Sequence, residues 1–80
     1  MKYYIIDLND LQIVSNEIFN NGYINDGYTW YDIERIDDVT PFQSYSDAQS
    51  ALKIENEYWK NSVPRSFMIL TENELIPYIL

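Results

Sequence analysis

The chain has no cysteine and no histidine, two glycines, three prolines, and five Lys and Arg against 13 Asp and Glu in 80 residues. Without cysteine there is no disulfide framework and no thiol nucleophile, and without histidine the common zinc sites and the usual acid–base imidazole are gone. Most enzyme classes go with them. Five bases scattered along the chain cannot build the clustered phosphate contacts that direct nucleic-acid binding requires. Gly22 and Gly27 are isolated, so no Gly-rich loop cradles a phosphate, and no Gly/Ser or Pro-rich linker divides the chain. No apolar run approaches the roughly 20 residues of a membrane span. The apolar start Met1–Ile6 is broken at Asp7, too short for the hydrophobic region of a signal peptide. A cytoplasmic protein without membrane contact is the expectation.

What remains is acidic and aromatic: the net charge is -8, 46% of the residues are hydrophobic and 16% are Phe, Trp or Tyr. That aromatic content argues against disorder, which is the other reading of so large a net charge. Eighty residues form one domain, 1–80, with a radius of gyration of roughly 12 Å and a net stability of about 3–5 kcal/mol.

Residues Tyr3 to Leu8 are β-branched and aromatic and read as a strand, Asn9-Asp10 as a turn, and Gln12 to Ser15 as the returning strand of a hairpin, which Asn16 to Phe19 extend or bend. Asn21-Gly22 and Asp26-Gly27 mark a loop, or a loop with a short hairpin, from Asn20 to Gly27. Tyr28 to Ile36 alternates as a further strand. Ser44 and Asp47 have capping-box spacing ahead of a helix over about residues 45–61, with Ser46 and Gln49 as the alternative cap. Its stripe is Ala48, Ala51, Leu52, Glu55, Tyr58 and Trp59. Ser66 to Thr71 is an apolar strand expected at the centre of the sheet. Leu75 to Leu80 reads either as an edge strand containing Pro77 or as a short helix capped by Thr71 with Glu74 three residues on. The expected fold is α+β, a small antiparallel sheet of four to five strands packed against one main helix, with Tyr3, Tyr45, Tyr58 and Trp59 in its core.

The charge is uneven. Residues 1–41 hold eight acids and two bases, and residues 42–80 hold five acids and three bases. The front-half acids Asp26, Asp32, Glu34, Asp37 and Asp38 are interleaved with Tyr23, Tyr28, Trp30 and Tyr31, side chains that favour interface centres. These nine residues are the candidate partner-binding surface, the carboxylates as its acidic patch and the aromatics as its anchors. The alternative is a solubilising coat over aromatics packed beneath the sheet. Carboxylates this close in sequence invite hydrolytic or metal chemistry, but their spacing fits no ligand loop, and Asn20 to Asp32 misplaces the donors of an EF-hand. No catalytic residue, metal site or cofactor is expected.

A strand pair, then Phe42-x-Ser44-x-x-Asp47-Ala48-x-x-Ala51-Leu52 opening a helix, then an apolar strand, resembles small phage-encoded accessory proteins, anti-CRISPR proteins and other anti-defence inhibitors among them. The likeness covers most of the chain in layout and rests on that helix start, so no site residue is carried over. It implies a stoichiometric inhibitor in the host cytoplasm. Such an inhibitor occupies the basic nucleic-acid-binding surface of a host protein, where carboxylates replace phosphates. Two other readings stand beside it: a non-catalytic assembly module acting as a homodimer through a sheet edge or the aromatic loop, and a small-molecule binder or minor enzyme built on the acidic loop.

Overall fold

A computed structural model describes residues 1–20, 25–61 and 65–79. The order of elements is β1 (Tyr3–Asp7), β2 (Gln12–Asn20), β3 (Asn25–Asp32), a 3-10 helix (Ile33–Asp38), α1 (Tyr45–Trp59), β4 (Phe67–Thr71) and α2 (Glu72–Ile79). The four strands form one antiparallel sheet in the order β3-β2-β1-β4. The α+β expectation is met.

Strand alternation decides the layers. In β1 and β2 the side chains of Ile5 and Val14 point to one face and those of Tyr4, Ile6 and Ile13 to the other, so both faces of the sheet are apolar and both must be covered. On one side α1 lays Ala48 and Ala51 against Ile5, Val14 and Phe42. On the other, Ile33 and Val39 from the 3-10 region and Leu75 from α2 close over Tyr4, Ile6, Ile13 and Leu70. The sheet is therefore the middle of three layers.

Ser44 is the N-cap of α1, its hydroxyl accepting the Asp47 N–H at 3.0 Å. The helix ends at Trp59, two residues short of the expected limit. Ser44→Ala should lower stability by about 1 kcal/mol in a urea titration. A loss below a few tenths would mean that packing alone holds this end.

Several expectations are corrected. The strand read over Tyr28 to Ile36 begins earlier, at Asn25, so that Asp26-Gly27 of the expected loop lies within a strand paired to β2, and it stops at Asp32, where the Ile33 N–H makes its bond to the Leu11 carbonyl (3.0 Å) and the chain turns into the 3-10 helix. Ile33, Ile36 and Val39 recur every third residue; the backbone kinks at Arg35 (φ -100°, ψ 31°) and Val39 is already extended, and all three still reach the core. Apolar β4 lies at a sheet edge and not at the centre, because β1 takes the middle by pairing with both β2 and β4. The C-terminal segment is a helix. Thr71 and Glu74 cap it reciprocally, the Glu74 carboxylate accepting the Thr71 N–H (2.9 Å) and the Thr71 hydroxyl accepting the Glu74 N–H (3.3 Å). Hydrogen bonds from the Thr71 backbone N–H first, and then from its side chain, hold the Glu74 carboxyl below the usual carboxylate range. Pro77 costs α2 the bond to the Asn73 carbonyl, on an exposed residue. Tyr45 and Tyr58 are not core residues, at 50% and 47% exposure. The buried stripe of α1 is only Ala48, Ala51 and Glu55 wide, so each ring instead packs edge-on against a half-buried neighbour, Tyr45 on Tyr3 and Tyr58 on Trp59.

Candidate protein-binding surface

The 3-10 helix carries the acids. Its apolar period of three turns Ile33 inward and leaves Glu34, Asp37 and Asp38 exposed, with Asp32 exposed at its N-terminal end. Asp32 accepts a bond from the Gln12 amide at 3.2 Å. Arg35 is the one base in the run, and it is already engaged: its Nε donates to Asp38 at 3.0 Å and its guanidinium lies 5.0 Å from the Tyr31 ring centre. Both ends of the ridge are fixed, by the Ile33–Leu11 bond and by the Thr40 N–H donating to buried Ser15 (2.8 Å) with the Asn16 N–H donating to the Thr40 carbonyl (2.8 Å). Four carboxylates thus stand on one anchored turn.

Beside the ridge, a groove of about 320 Å³ runs between the 3-10 helix and α2, lined by Ile36, Asp37, Ile76 and Ile79 with Lys2 and Glu72 at its mouth. Lys2 and Glu72 approach to 3.7 Å across exposed positions, a contact worth little in water. Tyr4 lines the floor, its hydroxyl pKa raised by burial and by Glu72.

The anchors divide between the faces of the sheet. Tyr31 stays with the acids, half-buried under Arg35. Tyr28 and Trp30 point to the α1 side, where Tyr28 meets Phe42 edge-on (5.8 Å) and Trp30 meets Trp59 (6.3 Å) and Phe67 (5.4 Å). Tyr23 and the side chain of Asp26 lie outside the described residues. The structure therefore sets Glu34, Asp37 and Asp38 on the 3-10 helix with Tyr31 beside them under Arg35, leaves Asp32 at the end of β3 bonded to Gln12 on the Val14 face, and sets Tyr28 and Trp30 on that same α1 face of the sheet.

Two polar centres escaped the sequence reading. In the first, Glu55, 1% exposed, accepts the Tyr28 N–H at 2.7 Å and the Trp59 indole N–H at 3.0 Å. Its carboxylate sits against Gly27, whose φ of +85° and missing Cβ make room for it; a Cβ there would lie 2.9 Å from Oε1. The Tyr28 phenol pKa is raised by burial first and then by Glu55 and Asp47. In the second, Arg65 bonds with one nitrogen to Asp7 (3.1 Å) and Asp10 (2.9 Å) while its guanidinium lies 4.3 Å from the Trp59 ring centre and 5.4 Å from that of Trp30. A charge on the α1 stripe was a legible sign of the first. Nothing in the local sequence marks Arg65.

Among the described residues no group of three or more acidic side chains could hold a metal ion, and no helix is long and apolar enough to cross a membrane. No known protein family matches the chain, and neither does a curated protein or a solved structure.

Proposed function

We propose that the chain is a non-catalytic inhibitor of the phage anti-defence kind, acting in the cytoplasm by occupying the basic nucleic-acid-binding surface of a host protein. The observation that carries this reading is the anchored turn with Asp32, Glu34, Asp37 and Asp38 exposed and its single base already tied to Asp38. Carboxylates on a turn bonded at both ends oppose a Lys/Arg-lined channel at a reduced ordering cost, and they speed the encounter electrostatically. Tyr31 is the aromatic contact beside them, and the groove floored by Ile36 and Ile79 gives the partner an apolar edge to cover.

The test is affinity capture from nuclease-treated host lysate, comparing the wild type with the quadruple variant Asp32→Asn, Glu34→Gln, Asp37→Asn, Asp38→Asn. The captured partner should be basic, displaced by a DNA or RNA oligonucleotide, and bound by the variant with an association rate lower by about 10-fold or more at low salt. Equal association rates for the two proteins would refute the charge-mimic reading.

A further inference from the structure

The two edges of the sheet are built differently. The β3 edge is guarded: it carries Asp32 at its end, its Gly27 has a φ of +85°, and its Tyr28 N–H is taken by Glu55. Such charges and irregularities are how sheets avoid pairing with another chain. The β4 edge has one such device, the Glu74 carboxylate on the Thr71 N–H at its end, and none before it. From Ser66 to Thr71 there is no charge and no proline.

Its hydrogen-bonding groups are also free. The bonds that end the β1–β4 ladder, Leu8 N–H to the Ser66 carbonyl (3.0 Å) and Glu72 N–H to the Lys2 carbonyl (3.2 Å), place the even-numbered residues of β4 on the β1 side. Alternation then turns the N–H and C=O of Phe67 and Ile69 outward, with no partner among the described residues. Thr71 would be the third in this row, but Glu74 already holds its N–H, so the open edge stops there.

We infer that this edge pairs with the β4 edge of a second copy, antiparallel about a two-fold axis at Met68. In that register Phe67 of each copy exchanges both backbone bonds with Ile69 of the other, and the two Met68 side chains face each other as a non-hydrogen-bonded pair. Met68 is 41% exposed, and Tyr78 lies on the flank of α2 away from the groove-lining Ile76 and Ile79, so both have apolar surface to bury at the seam.

Of the two sheet edges, electrostatics favours this one for a second copy. Among the described residues the acidic ridge packs against β3, β2 and α2 and not against β4, so its four carboxylates lie away from this edge. β3 and β4 are three strand spacings apart, roughly 14 Å. Joined at β4, the two ridges stand several Debye lengths of about 8 Å from each other, and their repulsion is screened. The product is an eight-stranded sheet with one acidic ridge at each end. One short edge gives a small interface, so the dimer forms reversibly.

Sedimentation equilibrium from about 1 μM to about 1 mM, the range in which a small interface dissociates, tests the pairing. The wild type should pass from monomer to dimer, and exchange of the Phe67 and Ile69 amide protons should slow with concentration. Met68→Lys, an exposed substitution that sets two ammonium groups opposite each other, should raise the dissociation constant about tenfold or more. An equimolar mixture of Met68→Lys and Met68→Glu should dimerise again. The quadruple ridge variant should dimerise like the wild type, so that failure here and failure of the inhibitor reading are separate results. A monomeric wild type at the highest concentration overturns the inference, as does a dimer in which the Phe67 and Ile69 amides gain no protection.

Discussion

Arg65→Leu is expected to leave most of the protein unfolded at room temperature. Asp7 is 0% exposed, and its carboxylate has two partners: the Asn9 N–H at 3.0 Å and Arg65 at 3.1 Å. Leucine removes the one cation paired with it among the described residues and strands a buried charge, which costs about 3–5 kcal/mol. That equals the whole stability of about 3–5 kcal/mol that a core of this size supplies. The loss is not only electrostatic, because the guanidinium also fills the space over the Trp59 and Trp30 rings and ties β4 to the β1–β2 turn through Asp10. Arg65→Lys should recover part of the loss, since it restores charge but not the flat face that stacks on indole. The double variant Asp7→Asn, Arg65→Leu should be more stable than Arg65→Leu alone, because the amide oxygen keeps the Asn9 bond and no buried charge is left behind. Urea titrations followed by tryptophan fluorescence measure all four proteins. A loss under about 1 kcal/mol for Arg65→Leu would show that water reaches Asp7 and that the pair is an ordinary surface contact.

The second large effect is at Glu55. Truncation to alanine deprives the Tyr28 N–H and the Trp59 indole N–H of their acceptor in the space between α1 and β3, each at about 1–3 kcal/mol. Glu55→Gln should fall between wild type and alanine: both protein groups are donors, and an amide offers one oxygen where the carboxylate offers two. Gly27 belongs to the same unit. Gly27→Ala meets strain at φ +85° and a contact of 2.9 Å with Oε1, and should cost about 2 kcal/mol in the wild type, whereas in the Glu55→Ala background only the strain remains. Equal costs in the two backgrounds, measured by the same titrations, would show that the carboxylate does not set the requirement for glycine.

The two centres serve one mechanical end. β2 and β3 pair irregularly between Val14 and Ile18, and Tyr28 is where that ladder resumes. Glu55 binds the backbone there from α1, while Arg65 binds the β1–β2 turn from the chain entering β4. With two glycines and no disulfide, the protein uses buried polar contacts where other small domains use covalent staples. This keeps the edge that carries the acidic turn in register.

Much of the architecture was legible in the sequence. The α1 start at Ser44, the β1–β2 hairpin and the Thr71–Glu74 cap depend on residues within a few positions of each other, and local chemistry is what a sequence displays. The acids of the ridge were legible as a charge excess, and their turn was not. Asp32, Glu34 and Ile36 fit strand alternation as well as Ile33, Ile36 and Val39 fit a period of three, and only the second layer of core over Ile6 and Ile13 chooses between them. The same competition explains β4. A continuous apolar run reads as a central strand, but its place in the sheet depends on which strand β1 accepts as a second neighbour.

By itself the sequence determined the class, the main helix with two candidate caps, the lack of thiol and imidazole side chains, and the concentration of charge in the first half of the chain. The tertiary structure alone decided that Tyr31 stays with the acids while Tyr28 and Trp30 turn to α1, that Glu55 and Asp7 are buried, and that one sheet edge is guarded and the other open. The physical reason is range. Caps and periods act within a turn or a strand, whereas the partners of a buried charge lie 27 residues away for Glu55 and Tyr28 and 58 for Arg65 and Asp7, separations across which only packing selects the contact.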